Sequence, residues 1–177
     1  MPDFMPVSMQ DKLRCSKSAM RKEREITDFE EIIKILDESN FLTLAMINET
    51  EPYSVPVNFG YKLDDDKKRI RIFIHGATEG TKLNCIKNCP RVSFSAVSYS
   101  EIGENKEPCA WTDFYRSVCG KGNASILEDA DEKKEGLICI LKKYGYKGPS
   151  VFPAIMMKKI SMIRIDVDDL TGKFHEK

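Results

Sequence analysis

The sequence lacks an excess of charge of either sign. Its 28 Lys and Arg residues balance 28 Asp and Glu residues, so the formal net charge of the 177-residue chain is zero. Because nucleic-acid phosphates select a concentrated basic face, this balance argues against nucleic acid as the main partner. A zero net charge also does little to keep copies of the chain apart, which leaves self-association open. The length suits one domain, with residues 1–19 as an N-terminal extension and residues 20–177 as the domain.

The sequence also lacks the usual marks of metal, disulfide and membrane proteins. Six cysteines contain no CxxC pair, and the two histidines, His75 and His175, lie far apart in sequence. We therefore expect no metal site, and reduced, mostly buried thiols. No apolar run is long enough for a signal peptide or a membrane span, which predicts a cytoplasmic protein. A Rossmann GxGxxG motif is also absent, so the sequence does not indicate the source of electrons for a redox reaction.

The most informative stretch present is RIRIFIHGATEGTKLNCIKNCP, residues 69–90. Its isoleucines alternate with other residues as in a strand, and the strand ends at His75. Small residues follow, and Thr81 and Lys82 stand where a helix should begin. Backbone N–H groups at a helix start carry partial positive charge, and a neighbouring lysine completes a phosphate site. The local pattern also allows a solvated lysine and a structural histidine.

The rest of the chain predicts mostly strands. An amphipathic helix should begin at a capping box of Thr27 and Glu30, and a second helix should be capped by Asp129 or Asp131, with an apolar stripe of Leu137, Ile138, Leu141 and Tyr144. Strands are expected near 41–47, 52–63, 69–76, 91–97, 112–127 and 159–167, with a polar loop over 99–110. We predict a mostly β (α+β) fold, a small barrel of about six antiparallel strands with peripheral helices.

The second predicted strand should be irregular. Pro56 cannot donate a ladder hydrogen bond, and Gly60 has no side chain to pack. We expect this strand to be partly unpaired on the Pro56 side, where another molecule can approach its backbone.

Several segments together resemble a known family. They are MRKEREITD (20–28), PYSVPVNFGY (52–61), IFIHGATEGTKL (72–83), NCPRVSFS (88–95), YRSVCGKGNASILED (115–129) and DVDDLTGK (166–173). In order and spacing they are similar to the 5-nitroimidazole resistance branch of the pyridoxamine 5′-phosphate oxidase-like flavoproteins. The resemblance implies a split β-barrel, a homodimer with FMN at the subunit interface, and an FMN-dependent oxidoreductase acting on small, electron-poor, nitroimidazole-like compounds.

The resemblance also implies which residues hold the cofactor. It assigns the isoalloxazine edge to the backbone of Pro56, Val57, Asn58 and Phe59, with further contacts from His75, Gly76, Ala77 and Ser117. It assigns the FMN phosphate to Thr81 and Lys82. The oxidases proper hold this phosphate with more basic residues than lie near Lys82 in the sequence, and Arg71 or a residue of the partner subunit could supply that charge here. In this branch the histidine matching His75 is implicated in activity, which makes His75 the candidate catalytic residue.

The C-terminus departs from the pyridoxamine phosphate oxidases proper. It reads DLTGKFHEK and lacks their substrate-gripping arginine-and-histidine motif. Two alternatives therefore stand beside the reductase: a flavin- or haem-binding module without turnover, and an oxidase of pyridoxamine phosphate or a similar amine.

Overall fold

The computed structural model describes residues 21–64 and 69–176, so the predicted extension at 1–19 lies outside the described residues. Within these ranges the chain forms eight strands and four α-helices. The strands are β1 (Glu25–Ile26), β2 (Leu42–Asn48), β3 (Glu51–Val57), β4 (Gly60–Leu63), β5 (Ile70–Gly76), β6 (Arg91–Gly103), β7 (Thr112–Leu127) and β8 (Ser161–His175). The helices are α1 (Phe29–Glu38), α2 (Thr81–Asn88), α3 (Ala130–Lys143) and α4 (Ala154–Met157).

All strands belong to one antiparallel sheet. The strand order is β3-β2-β6-β7-β8-β5-β4, and β1 pairs with the far end of β8. β3 and β4 stand at opposite ends of this order, yet only Asn58 and Phe59 separate them in sequence. The three Cα–Cα steps from Val57 to Gly60 span at most about 11 Å, so the sheet must curl until its ends meet at this corner. β3 pairs with β2 and β4 with β5, so within the described residues the barrel stays open at the corner.

This architecture confirms the predicted fold class, a mostly antiparallel barrel with helices outside it. The core fills the curl of the sheet with aliphatic side chains such as Leu36, Leu44, Ile72 and Ile165. A second, smaller cluster lies between α3 and the sheet and contains Phe73, Leu127, Ile140 and Met162. Burial of these groups is the main stabilising contribution to the fold.

Several element boundaries differ from the prediction. The strand predicted over 52–63 is two strands, because the chain changes sheet partners at the corner. The loop predicted over 99–110 is shorter, since β6 continues to Gly103 in a hairpin with β7. The last strand extends to His175 rather than Val167 because it pairs with β7 along nearly its whole length. The predicted bend at Gly120 and Gly122 is confirmed by a register shift between Lys121 and Gly122.

Both long helices begin at an aspartate. Asp28, not Thr27, caps α1 by accepting hydrogen bonds from the N–H groups of Glu30 and Glu31. Asp129 caps α3 in the same way, as predicted. A carboxylate at this position satisfies helix N–H groups that otherwise have no partner.

The buried face of α3 is rotated from the predicted stripe. Its fully buried positions are Gly136 and Ile140, while the predicted Tyr144 is exposed. A Cβ on Gly136 would lie 2.8 Å from the sulfur of Met162, so the glycine allows the helix to pack closely on the sheet. Leu137 of the predicted stripe does pack, partly buried, against the second cluster. A hydrophobic pattern does not mark a glycine as a contact residue, so the contact of Gly136 was not predicted.

The thiols also differ from expectation. All five described cysteines are free, but only Cys85 is buried, whereas Cys109 and Cys119 are exposed. The prediction of reduced thiols is consistent with this arrangement, and the prediction of mostly buried thiols is wrong. Among residues 21–64 and 69–176, no group of three or more His, Cys, Asp or Glu side chains could hold a metal ion. No helix in the same ranges is long and apolar enough to cross a membrane.

Candidate functional site

The segment between β5 and α2 holds a lysine that folds back onto the end of its own strand. A Cβ placed on Gly76 would lie 3.2 Å from the Nζ atom of Lys82, so the side chain covers this glycine. Lys82 is half-buried, and this burial lowers the pKa of its ammonium group. Within the described part of the chain it has no ion pair or hydrogen bond. A partly desolvated cation without a counter-charge favours an anion from outside the chain.

The N-terminus of α2 reinforces this preference. Its N-cap is Gly80, which has a positive φ of 139° and offers no side-chain acceptor. The helices α1 and α3 carry a capping aspartate at the same position. The first N–H groups of α2, at Thr81 and Lys82, therefore remain available beside the lysine. Together they have the arrangement that the sequence predicts for an anion cradle.

The corner between β3 and β4 lies next to this segment. Gly60 pairs with Phe73 in an antiparallel register. Residues just before Gly60 therefore lie beside residues just after Phe73, which brings Asn58 toward His75. The register therefore places the segment just before Gly60 toward the end of β5, where the segment that begins at His75 follows. Both Asn58 and His75 are exposed, and the imidazole of His75 forms no hydrogen bond within the described residues.

The side chains of the corner alternate between solvent and core. Pro56 and Asn58 are exposed, whereas Val57 and Phe59 are buried, Phe59 completely. Val57 and Phe59 can therefore offer a ligand only their backbone groups. β3 is an edge strand, paired on one side with β2. This agrees with the predicted strand that is unpaired on one side and open to another molecule.

The last turn of α3 clamps the corner from behind. The ammonium of Lys143 donates hydrogen bonds to the backbone carbonyls of Leu36 (2.8 Å), Asp37 (3.1 Å) and Ser39 (2.7 Å), which end α1. It also lies 4.5 Å from the centre of the Phe59 ring. Its burial lowers the pKa of this lysine as well.

Tyr144 completes this clamp. Its hydroxyl donates to the carbonyl of Asn40 (2.6 Å) and accepts from the N–H of Phe59 (3.3 Å). Sequence reasoning missed the clamp: it placed Tyr144 in an apolar stripe, and a lysine in the last turn of a helix, such as Lys143, is an ordinary favourable interaction with the helix dipole. No local signal identifies either role, since their partners lie more than 80 residues away.

Ser117 lies apart from the other predicted site residues. The strand registers pair Pro56 with Thr43, Thr43 with Ser95 and Ser95 with Cys119 in one row across four strands. Ser117 is two residues from Cys119 on the same face of β7. Three strand spacings separate it from β3, which is about 14 Å. Within one chain Ser117 therefore does not contact the corner. Small side chains line the face between them, at a groove of about 420 Å³.

Arg71, an expected source of further positive charge, is occupied elsewhere. Its guanidinium pairs with Asp64 (3.2 Å) and Asp166 (3.6 Å). It also lies five residues before Gly76, about 16 Å along an extended strand. Arg71 therefore does not supplement Lys82 in the anion cradle.

A larger cleft, of about 690 Å³, lies between α1, β4 and α3. Several of its polar groups are paired with one another: the Tyr61 hydroxyl donates to Asp37, and Lys62 pairs with Glu135. Since these charges already have partners, the cleft is a weaker candidate site than the cradle around Lys82.

Comparison with known proteins identifies the family. The family profile of pyridoxamine 5′-phosphate oxidase matches residues 28–174. No curated protein sequence matches the chain significantly.

Solved structures share the fold. A candidate 5-nitroimidazole antibiotic resistance protein from Bacteroides thetaiotaomicron has a TM-score of 0.72 at 23% identity, covering 84% of this chain and 85% of that one. An FAD- and haem-binding protein from Mycobacterium smegmatis has a TM-score of 0.75 at 18% identity, covering 87% and 74%. A flavocytochrome from Azotobacter vinelandii has a TM-score of 0.74 at 15% identity, covering 92% and 75%.

Proposed function

The chain belongs to the pyridoxamine 5′-phosphate oxidase family, and from this premise we propose that it is an FMN-binding oxidoreductase. The observation that carries the proposal is the half-buried Lys82 ammonium, which has no counter-charge among the described residues and stands beside uncapped N–H groups of α2. A phosphate monoester is the anion that such a cradle fits best, since it combines two negative charges with several acceptor oxygens. The phosphate of FMN meets this description.

The residues of this chain fit the rest of the cofactor as well. Thr81 and Lys82 would hold the phosphate. The exposed backbone edge of β3 from Pro56 to Asn58 would orient the ring, because an edge strand has unpaired polar groups for the ring's own polar edge. Phe59 would contribute through its carbonyl alone, since its N–H bonds to Tyr144. Gly76 and Ala77 would line the path between the two ends of the cofactor.

We propose a homodimer with FMN at the subunit interface. One observation supports this arrangement: Ser117, assigned to the cofactor by family resemblance, lies about three strands from β3 of its own chain. In a dimer formed through the small-residue face, Ser117 of the partner subunit would complete the site. No part of the flavin proposal other than the role of Ser117 depends on the dimer.

The proposed reaction is the reduction of a small, electron-poor acceptor such as a nitro-heterocycle. Bound FMN would supply the electron transfer, and the protein would supply position and protons. His75 is suited to the second task, because its imidazole is exposed, lies beside the corner and forms no hydrogen bond in the described chain. An imidazole can hold or release a proton near neutral pH.

A second candidate is a flavin- or haem-binding module without turnover. It is favoured by the likeness to an FAD- and haem-binding protein and to a flavocytochrome. The exposed His75 offers a nitrogen ligand for a haem iron. Oxidation of pyridoxamine phosphate is a weaker alternative. The C-terminal histidine, His175, is occupied by the carbonyl of Asp113 (2.9 Å) and the hydroxyl of Thr112 (3.3 Å).

The decisive experiment compares two flavins that differ only in the phosphate. We expect FMN to bind at least tenfold more tightly than riboflavin in fluorescence titrations, because only FMN can occupy the cradle. Equal affinities for the two flavins would refute the phosphate site, and the absence of binding to both would refute the flavin proposal. A Soret band after incubation with haemin, without flavin binding, would favour the haem module.

The reaction is tested on the loaded protein. Reduced FMN-protein should be reoxidised anaerobically by a nitroimidazole faster than free reduced FMN at the same concentration. An unchanged rate would favour a module without turnover. Release of hydrogen peroxide from pyridoxamine 5′-phosphate would favour the oxidase instead.

A further inference from the structure

Exposed large hydrophobic side chains cluster in two places that the proposed cofactor site does not use. Of the eleven such side chains in the described residues, three lie on the hairpin arm, which we define as residues 99–115, and five on the cationic segment, residues 144–159. On the arm, Ile102 is 60% exposed and Trp111 53% exposed. On the segment, Val151 is 78% exposed and Ile155 67% exposed. Apolar patches of this kind mark interaction surfaces.

The two surfaces carry opposite charge. The hairpin arm contains four acidic residues and one lysine, which is a formal charge of −3: Glu101, Glu104, Glu107, Asp113 and Lys106. The cationic segment contains no Asp or Glu and three lysines, a formal charge of +3: Lys147, Lys158 and Lys159. In a chain of zero net charge this separation is pronounced. The mixed charges at the start of α3, Glu128, Asp131, Lys133 and Lys134, line a groove beneath the segment and cancel one another.

Several of these charges are not used within the chain. Glu104 and Glu107 on the arm form no ion pair in the described ranges, and neither do Lys158 and Lys159 on the segment. Asp113, by contrast, accepts hydrogen bonds from Ser100. The unpaired acids and lysines are therefore the groups available to a partner.

The two surfaces cannot satisfy each other within one chain. The cationic segment leads into the start of β8 at Ser161, while the base of the arm pairs with the end of β8, through Tyr115 and His175. These ends are 14 residues apart, about 46 Å in an extended strand. The arm and the segment therefore lie at opposite ends of the sheet.

We propose that the hairpin arm of one copy docks on the cationic segment of a second copy of this chain. A two-fold axis across β8 turns the second copy end to end, so the contact forms twice, once at each end of the dimer. Each contact joins an acidic and a basic apolar surface, which provides both burial and charge complementarity. An anionic membrane would fit the lysines of the segment, but it would repel the acidic arm and leave Trp111 and Ile102 uncovered.

This inference rests on the homodimer of the proposed function and adds the surfaces that form it. It also fixes how the two copies face each other, because the arm of each copy must meet the segment of the other. Like surfaces meeting across the two-fold axis would instead oppose lysine to lysine or glutamate to glutamate.

The test uses two charge-reversal variants of the full chain. Variant one carries Glu104→Lys and Glu107→Lys, and variant two carries Lys158→Glu and Lys159→Glu. Each should raise the dimer dissociation constant about 100-fold at low salt, because both contacts become repulsive. Mixed together, the two should form heterodimers as readily as the wild type, since every arm then meets a segment of opposite charge. Sedimentation velocity with one variant fluorescently labelled measures both effects.

A matched control separates this contact from general attraction between oppositely charged proteins. Lys22→Glu with Lys87→Glu makes the same net charge change as variant two, at exposed positions outside both surfaces. This control should dimerise like the wild type and should not rescue variant one. Rescue of variant one by the control, or unchanged dissociation constants for both variants, would overturn the inference.

Two further outcomes are also decisive. If the wild-type chain remains monomeric at a protein concentration 100-fold above the FMN dissociation constant, the homodimer and this inference are both overturned. FMN titration would still test the flavin site. Vesicles of phosphatidylserine that bind the wild type but not variant two, with an unaltered dimer, would assign the cationic segment to a membrane and overturn the inference.

Discussion

Two half-buried lysines in this protein have opposite roles. Burial lowers the pKa of both Lys82 and Lys143. Lys143 donates to three backbone carbonyls and lies over the ring of Phe59, whereas Lys82 has no partner among the described residues. The ammonium of Lys143 is therefore satisfied within the described chain, whereas that of Lys82 is available to the proposed phosphate. The two lysines differ in their partners, not in their burial, and this difference is what the proposed binding role of Lys82 rests on.

The largest expected effect concerns the structural cation. Lys143→Met should lower the free energy of unfolding by about 3 kcal/mol, because it removes charged hydrogen bonds and leaves the backbone carbonyls at the end of α1 without a donor. Urea denaturation measures this loss. Lys142→Met, one residue earlier and exposed, is the control and should change stability little. Comparable losses for the two variants would contradict the structural role of Lys143.

The binding cation should show the reverse behaviour. Lys82→Ala should weaken FMN binding by about 1–3 kcal/mol and leave riboflavin binding and stability unchanged, because in the proposed complex the ammonium binds the phosphate and it has no partner among the described residues. Titration of both flavins with Lys82→Ala and with Lys87→Ala, an exposed lysine of the same helix, measures the difference. Loss of stability in Lys82→Ala would show that the lysine has a structural partner after all.

The lowered pKa of Lys82 adds a pH dependence with a definite sign. The protonated amine is the form that binds phosphate, so the preference for FMN over riboflavin is lost as pH rises through the pKa of Lys82. Burial sets this pKa below the ordinary lysine value of about 10.4, so the loss should begin at lower pH than for an exposed lysine. A preference that persists unchanged up to the ordinary value would contradict the burial of this ammonium.

A smaller effect is expected at Tyr144, which links the two regions. Tyr144→Phe removes the hydrogen bonds to Asn40 and Phe59 and should cost about 1 kcal/mol of stability. Because Phe59 adjoins the proposed ring site, the variant should also change the fluorescence of bound flavin. Tyr146→Phe, whose hydroxyl bonds only locally to Pro149, is the matched control. If the fluorescence of bound flavin is the same in the two variants, the clamp does not influence the proposed flavin site.

The smallest effect is expected for a cation on the surface. Arg91 pairs with Asp168, and both side chains are about half exposed, so Arg91→Ala should cost less than about 0.5 kcal/mol. The hydrogen bond from Arg91 lowers the pKa of Asp168 in the folded protein. The contribution of the pair is therefore full above the ordinary aspartate pKa and disappears as pH falls through the lowered one. A larger loss of stability at neutral pH would show that the exposed fraction of these two side chains does not predict how much the ion pair contributes.

Much of the fold was predictable because it depends on local patterns. The alternation of Ile70, Ile72 and Ile74 correctly predicted β5, and the glycine and threonine before Lys82 correctly predicted the start of α2. Pro56 and Gly60 correctly marked an irregular strand, although not the change of partner at the corner. That change depends on which distant strand lies nearby, and a local pattern does not contain this information.

The candidate site also has parts that local sequence patterns predict and parts that only the structure shows. Its two segments, at 56–59 and 75–82, were recognisable from sequence, and their adjacency follows from the register of β4 and β5. Arg71 illustrates the limit, since its partners Asp64 and Asp166 could be known only from the structure. Gly136 illustrates it for packing, because only the neighbouring Met162 and Phe73 reveal why the residue must be small.

The sequence by itself determined most of the strands, the two long helices, the glycine-rich start of α2 and the separation of acidic and basic stretches along the chain. These features depend on residues a few positions apart, whose spacing sets periodicity, caps and local charge. Only the tertiary structure decided which lysine is satisfied and which is free. Hydrogen bonds such as those from Lys143 to the end of α1 join residues more than 100 positions apart, and the fold alone brings them within reach.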